Sequence, residues 1–216
     1  SLARTCAPLC QSAHAGNPRT VAGMGDATDT GWTMAEAKTT SLFARFDQAE
    51  FTLCLLVNRA AQRRAVWTFF AAISRLGNGA FWYTLLAALP LAYGPSAVPP
   101  TVHMVLVGLV GVAVYKAIKH RLMRERPYVS WPAIRCRTPP LDRYSFPSGH
   151  TLHATAFSVL TLFHFPELGW LVVPFALLVA TSRVMLGLHY PSDVAAGAAI
   201  GGGLASAGIY LLDAFQ

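Results

Sequence analysis

Residues 76–115 read LGNGAFWYTLLAALPLAYGPSAVPPTVHMVLVGLVGVAVY, and no side chain among them carries a formal charge. A helix that crosses the hydrocarbon core of a bilayer needs about 20 mostly apolar residues, so this stretch is long enough for two. Gly94-Pro95 and Pro99-Pro100 supply an uncharged turn between them. Upstream, the glycines in Arg75–Gly79 predict a kink. The stretch therefore predicts a pair of membrane helices.

The composition extends this prediction to the rest of the chain. Of the 216 residues, 54% are hydrophobic and only 12% are charged, against roughly 25% charged in soluble domains. Mean hydropathy is +0.42. Formal charges are absent between Asp193 and Asp213, and only Glu167 lies between His150 and Arg183. This pattern excludes a soluble globular domain and indicates a polytopic membrane protein in contact with a lipid bilayer. Nothing in it indicates a nucleic-acid partner.

We predict an all-α, polytopic transmembrane helix bundle. Its five expected spans are residues 66–93 (interrupted by the kink), 103–120, 151–165, 169–186 and 194–212. A sixth segment, residues 41–58, contains Arg45, Asp47 and Glu50, so it is either an interfacial helix or an imperfect first span. Residues 1–40 are rich in small and polar residues and are expected to be disordered. Residues 41–216 then form one transmembrane domain.

Two further features concern packing and metals. The last span contains five glycines that are expected to allow close helix packing: Gly197, Gly201, Gly202, Gly203 and Gly208. The four cysteines lack the spacing and the histidine partners of a zinc site. We therefore predict no metal site.

Two polar motifs adjoin the apolar segments. In the first, Lys119 is followed by six residues and then Arg126-Pro127. A continued helix would place both cations roughly on one face, where they suit phosphate oxygens. The second is Pro147-Ser148-Gly149-His150, just before an apolar helix whose N-terminal N–H groups favour an anion. Taken alone, the first also fits a basic helix flank and the second a simple helix cap.

A third motif contains Ser182-Arg183, His189 and Asp193, with Pro191 at the expected first turn of the last helix. An aspartate close to a histidine can hold one tautomer and stabilise the cationic ring. Alone, this motif also fits a capping aspartate and an interfacial histidine. Three such motifs, each at a helix end on one membrane face, together indicate a phosphate site at a membrane interface.

Together the motifs resemble the complete signature of the type 2 phosphatidic acid phosphatase (PAP2) superfamily, over roughly residues 42–215. The resemblance implies that His189 is a nucleophile forming a phosphohistidine, that Asp193 orients it and that His150 is the general acid. It implies five phosphate-binding residues: Lys119, Arg126, Ser148, Gly149 and Arg183. Because three protein cations take the place of Mg²⁺ in this family, no metal or other cofactor is implied.

The resemblance implies an integral membrane phosphatase acting on a lipid phosphomonoester or diphosphate. Phosphatidic acid, phosphatidylglycerol phosphate and polyprenyl diphosphate all fit. One alternative is a lipid phosphotransferase using the same intermediate. Another is a non-catalytic lipid-phosphate binder or transporter, which the presence of His150, His189 and Asp193 disfavours. The sequence makes no prediction about oligomeric state.

Two arguments about membrane sidedness disagree. Arg59, Arg63, Arg64 and the basic segment 119–143 are expected on one face, which the positive-inside rule places in the cytoplasm. The resemblance instead implies the outer, periplasmic face of a bacterial inner membrane. Since catalysis accounts for several of these cations, we expect the active site on the outer face.

Overall fold

The computed structural model describes residues 34–138, 140 and 142–214. Disorder was predicted for residues 1–40, of which residues 1–33 lie outside the described residues. From Met34 onward the chain is helical, so the first helix begins inside the segment for which disorder was predicted.

The described part of the chain is helical and contains no strand, which confirms the predicted all-α fold. Its seven long helices are α1 (Met34–Ala60), α2 (Arg64–Arg75), α3 (Phe81–Tyr93), α4 (Val98–Arg121), α5 (Gly149–His164), α6 (Gly169–Met185) and α7 (Pro191–Ala214). Shorter helical turns are Pro95–Ala97, Pro127–Ser130 and Pro166–Leu168.

Three helical segments within the described residues are long and apolar enough to cross a membrane: Pro95–Arg121, Pro166–Met185 and Pro191–Ala214. The chain is an integral membrane protein, but the expected count of five spans was too high by this measure. Helix α5 has 16 residues and so rises about 24 Å, less than the roughly 30 Å of a hydrocarbon core.

The kink predicted near Gly79 explains the other missing span. Residues Leu76–Ala80 form a π-helical segment between α2 and α3, and Gly79 has a φ of 129°. Because side chains disfavour this conformation, glycine permits the break. The apolar run 66–93 is therefore two short helices, not one long one.

Helices α5 and α7 pack with their backbones almost in contact. A Cβ atom at Gly197 would lie 2.5 Å from the Ser148 carbonyl oxygen, and one at Gly201 would lie 2.1 Å from that of Leu152. Gly208 similarly approaches α4, whereas Gly203 has no heavy atom within 4 Å of such a Cβ. Close packing was therefore correctly predicted for some of the glycines only. It seats the start of α5 against the start of α7.

Within the part of the chain that the structure describes, two apolar clusters hold the helices together. The larger fills the bundle between α3, α4, α5 and α6, and in it Trp82 stacks on Phe157 and meets Phe175 edge to face. The smaller lies beneath the loop that joins α6 to α7 and includes Cys54, Tyr128, Ile134, Leu186, Leu188 and Tyr190. This second cluster supports the residues on either side of His189.

Candidate active site

His189 lies in the short loop between α6 and α7. Gly187 turns the chain with a φ of 72°, and a Cβ there would lie 2.8 Å from Ile134. The backbone N–H groups of Leu188 and His189 donate to the carbonyl of Arg183, at 3.0 and 3.1 Å. These bonds hold the His189 side chain in the interior, where it is 2% exposed.

The two ring nitrogens of His189 face opposite charges. Nε2 lies 3.4 Å from Nη1 of Arg126, and Nδ1 lies 3.7 Å from Oδ2 of Asp193. A guanidinium can only donate hydrogen bonds, so this contact suits the tautomer with a lone pair on Nε2 and the proton on Nδ1. The aspartate faces the protonated nitrogen, although the separation exceeds hydrogen-bond length.

The surroundings of His189 favour its neutral form. Burial lowers its pKa well below the ordinary value, and the positive charges of Arg126, Arg183 and Lys119 lower it further. A neutral imidazole with a free lone pair is the form that can attack an electrophile.

Lys119 and Arg126, the cations of the first motif, meet at one carboxylate. Oδ1 of Asp142 lies 2.6 Å from Lys119 Nζ and 2.6 Å from Arg126 Nη2. The hydroxyl of Tyr115 donates to the other oxygen of Asp142 at 2.5 Å and accepts from Lys119 at 2.9 Å. Burial would raise the Asp142 pKa, but hydrogen bonds from Lys119 and Tyr115 and the charge of Arg126 hold it at about 2.

Arg183 lies on the buried side of α6. Its Nη1 donates to the hydroxyl of Ser74 in α2, while its buried Nε has no hydrogen-bond partner among the described residues. Arg183 and Lys119, like Arg126, lie within electrostatic range of the His189 ring.

The second motif, residues 147–150, lies at the start of α5, next to these cations. The backbone N–H of Ser148 donates to the carbonyl of Asp193 at 3.0 Å, and its hydroxyl caps α5 through Thr151. A Cβ at Gly149 would lie 2.8 Å from the Tyr115 ring, so packing also requires glycine there. His150 is within electrostatic range of Arg183, His189 and Arg126.

Three residues at this site were missed by the sequence analysis: Tyr115, Arg124 and Asp142. Arg124 is 1% exposed and lies between Lys119 and Arg126 in the sequence. The sequence did give one indication of Arg124, because a further arginine inside the first motif is visible without a structure. Asp142 gave no such signal, since its position in a loop says nothing about which cations it meets.

A cavity of about 420 Å³ adjoins the site. Gly149, His150 and Tyr115 line one end, and the lining continues along α4 to Val105. Tyr115 and Val105 are ten positions apart, which corresponds to about 15 Å along the helix. Most of the other lining side chains are apolar or aromatic: Trp82, Tyr83, Leu86, Leu109, Val112 and Phe157. At His150 the site therefore adjoins a mostly apolar cavity that follows α4.

Comparison with known proteins decides the family. The PAP2 superfamily model matches residues 100–215, just over half of the chain, including all three motifs. The chain belongs to the PAP2 superfamily. The family predicted from the motifs is thereby confirmed.

Proteins whose names state a phosphatase activity are similar to this chain. Undecaprenyl-diphosphatase BcrC of Bacillus subtilis is 36% identical over 89 residues, 41% of this chain and 46% of that protein. The match thus spans less than half of BcrC. Decaprenylphosphoryl-5-phosphoribose phosphatase of Mycobacterium tuberculosis is 36% identical over 137 residues, 60% of this chain and 71% of that protein.

Solved structures show the same PAP2 fold. LpxE of Aquifex aeolicus superposes with a TM-score of 0.65 at 24% identity, covering 75% of this chain and 95% of LpxE. A transmembrane PAP2 type phosphatidylglycerolphosphate phosphatase from Bacillus subtilis also gives a TM-score of 0.65, at 23% identity. This superposition covers 84% of this chain and 92% of the Bacillus subtilis protein.

Proposed function

We propose that this protein is a membrane lipid phosphatase that hydrolyses a lipid phosphomonoester or diphosphate through a phosphohistidine on His189. The observation that carries the proposal is the orientation of the His189 ring. Its Nε2 faces Arg126 at 3.4 Å, among three cations that could hold a phosphoryl group. Its Nδ1 faces the carboxylate of Asp193. The proposed nucleophile, the carboxylate that orients it and the cations that bind the phosphoryl group thus lie close together.

In the first step, Nε2 of His189 attacks phosphorus and the bond from phosphorus to the leaving oxygen breaks. Lys119, Arg126 and Arg183 bind the phosphoryl oxygens and stabilise the charge that develops on them. Ser148 and the Gly149 N–H are further proposed donors, at the start of α5. The ring becomes cationic on phosphorylation, and the negative charge of Asp193 stabilises it.

His150 is the proposed general acid. It gives its proton to the leaving oxygen as the phosphoryl group moves to His189. The negative charge of the bound substrate favours protonated His150, since it offsets the cations around the ring. His150 then takes a proton from the water that attacks the phosphohistidine. Inorganic phosphate and neutral His189 result.

The apolar cavity supports a lipid as the substrate. It begins at His150 and follows α4 for about 15 Å, a suitable path for an acyl or prenyl chain whose phosphate lies at the cationic end. The named relatives act on prenyl-linked substrates, which favours a polyprenyl phosphate or diphosphate. Phosphatidic acid and phosphatidylglycerol phosphate fit the same geometry. We propose the outer face of a bacterial inner membrane as the location.

Phosphate release by the purified protein in detergent tests the proposal. The substrates would be undecaprenyl diphosphate, phosphatidic acid and phosphatidylglycerol phosphate, each without an added acceptor. Release from one of them by wild type, and its loss in His189→Ala, is the expected result. Transfer only after a second lipid is added would indicate a phosphotransferase. Binding without turnover would indicate a lipid-phosphate binder or transporter.

A further inference from the structure

Arg124 lies next to the site, but the proposed mechanism gives it no role. Among the described charged residues without such a role, its side chain is the most deeply buried. Its Nη1 donates to Oδ1 of Asp193 at 2.6 Å and to the hydroxyl of Ser192 at 2.6 Å. Its Nε and Nη2 donate to Asp47 and Glu50 of α1, each at 2.8 Å. One guanidinium therefore joins α1 to the first turn of α7.

Such an arrangement fixes the Asp193 carboxylate in one orientation. Oδ1 is bound by Arg124, while Oδ2 accepts from the backbone N–H of Tyr190 at 2.8 Å. Oδ2 is also the oxygen that faces Nδ1 of His189. With both oxygens held, rotation of the carboxylate away from the histidine would break two hydrogen bonds in a fully buried location.

The Arg124 side chain is itself held from two directions. Its guanidinium lies 4.0 Å from the centre of the Tyr190 ring, the neighbour of His189. Glu50 also accepts from the backbone N–H and hydroxyl of Ser192, at 2.6 and 2.7 Å. A carboxylate at a helix N-terminus is favourable. Glu50 therefore holds both the Arg124 guanidinium and the first turn of α7, which carries Asp193.

The charges in this cluster also suit the chemistry. Arg124 is shared among three carboxylates, those of Asp47, Glu50 and Asp193. Because carboxylates outnumber the cation, Arg124 can orient Asp193 without cancelling the negative potential beside His189. That potential is what a cationic phosphohistidine requires.

We propose that Arg124 is a positioning residue for catalysis, and that Asp47 and Glu50 of α1 complete its site. It acts through Asp193 on the orientation of His189 and does not touch the substrate. The inference rests on the proposed function. It assigns α1 a catalytic purpose, since the acidic residues that interrupt its apolar sequence are those that bind Arg124.

Steady-state kinetics of Arg124→Gln and Arg124→Lys in the full chain test this role. We expect kcat per folded protein to fall about 10- to 100-fold in Arg124→Gln, as for other residues that orient a functional histidine. Arg124→Lys should recover part of it, because lysine can still bind Asp193. KM and the inhibition constant of inorganic phosphate should stay within about twofold, since the phosphate-binding cations are unchanged.

The matched control is Arg121→Gln, an exposed arginine three positions earlier, which should keep wild-type kcat. A purely structural role for Arg124 would instead lower the melting temperature and leave kcat per folded protein unchanged, and that result would overturn the proposal. If Arg124→Gln does not fold, Glu50→Gln decides. It should lower kcat about 2- to 10-fold with unchanged phosphate inhibition, and wild-type kcat would refute the role.

The same assay separates this inference from the proposed function. No phosphate release by wild type, or full release by His189→Ala, would refute the proposed function itself. An inactive His189→Ala beside a fully active Arg124→Gln would refute only the positioning role.

Discussion

Arg126 forms an ion pair with Asp142 at 2.6 Å, and the same guanidinium faces His189, the proposed nucleophile. Nη2 binds the carboxylate, while Nη1 lies 3.4 Å from Nε2 of His189. Lys119 binds the same carboxylate oxygen. Asp142 therefore engages two of the three cations proposed to hold the substrate phosphate.

From this relationship we expect Asp142→Asn to bind phosphate more tightly. The carboxylate competes for Lys119 and Arg126 and repels an incoming anion, whereas uncharged asparagine competes more weakly and does not repel the anion. The inhibition constant of inorganic phosphate should fall about 2- to 10-fold. Asp213→Asn, an exposed aspartate at the end of α7, is the charge-matched control. Weaker inhibition would show instead that Asp142 holds the cations in place for phosphate.

The pH dependence of the Asp142 ion pairs follows from its pKa of about 2, below the ordinary value of 3.8. A carboxyl whose pKa is lowered by folding stabilises the native state above its unfolded pKa and loses that contribution as pH falls towards the folded pKa. The difference in melting temperature between wild type and Asp142→Asn should therefore shrink as the pH falls between about 4 and 2. A difference that stays unchanged down to pH 2 would contradict this assignment.

His189→Ala should reduce phosphate release to below about 1% of wild type, because no phosphohistidine can form. The exposed His120 provides the control, and His120→Ala should remain active. Both variants should show the same melting temperature within a few degrees when measured in detergent. Activity above a few per cent in His189→Ala would remove His189 from the role of nucleophile.

Blocking the apolar cavity should separate long-chain from short substrates. Val105 lines the cavity, so Val105→Trp should lower kcat/KM for a prenyl-linked substrate about 10-fold. Hydrolysis of p-nitrophenyl phosphate, which has no lipid chain, should not change. Val110 lies on the same helix with its side chain exposed, and Val110→Trp should affect neither substrate. Equal loss for both substrates in Val105→Trp would show that the cavity does not hold the chain.

The approach of α5 and α7 makes a stability prediction with an internal control. Gly201→Ala should destabilise the protein by about 1–3 kcal/mol or more, because its Cβ would lie 2.1 Å from a backbone carbonyl oxygen. Gly203→Ala, two residues away and open, should be neutral or slightly stabilising. Thermal unfolding in detergent measures both. Similar melting temperatures for the two variants would show that the helices are packed less closely.

Much of the protein could be predicted from its sequence because the relevant properties are local. The uncharged run 76–115 identifies a membrane protein whatever its partners, since transfer of apolar side chains into lipid depends on residue type. The three motifs likewise reveal the family, because a cation, a glycine turn or a histidine at a fixed spacing is visible without coordinates. The break at Gly79 and the start of α7 at Pro191 were foreseen for the same reason.

Only the tertiary structure decided which distant residues meet. Arg124 binds Asp47 across 77 positions and Asp193 across 69, and no local pattern encodes those separations. The same holds for Asp142, whose loop position does not reveal that it would meet Lys119 and Arg126, and for Gly201 and Gly203, which differ only in what faces them. Residue type and spacing determined where the chain enters lipid and which groups carry the chemistry. Helix packing determined how those groups are oriented, because orientation depends on contacts that form only when the bundle assembles.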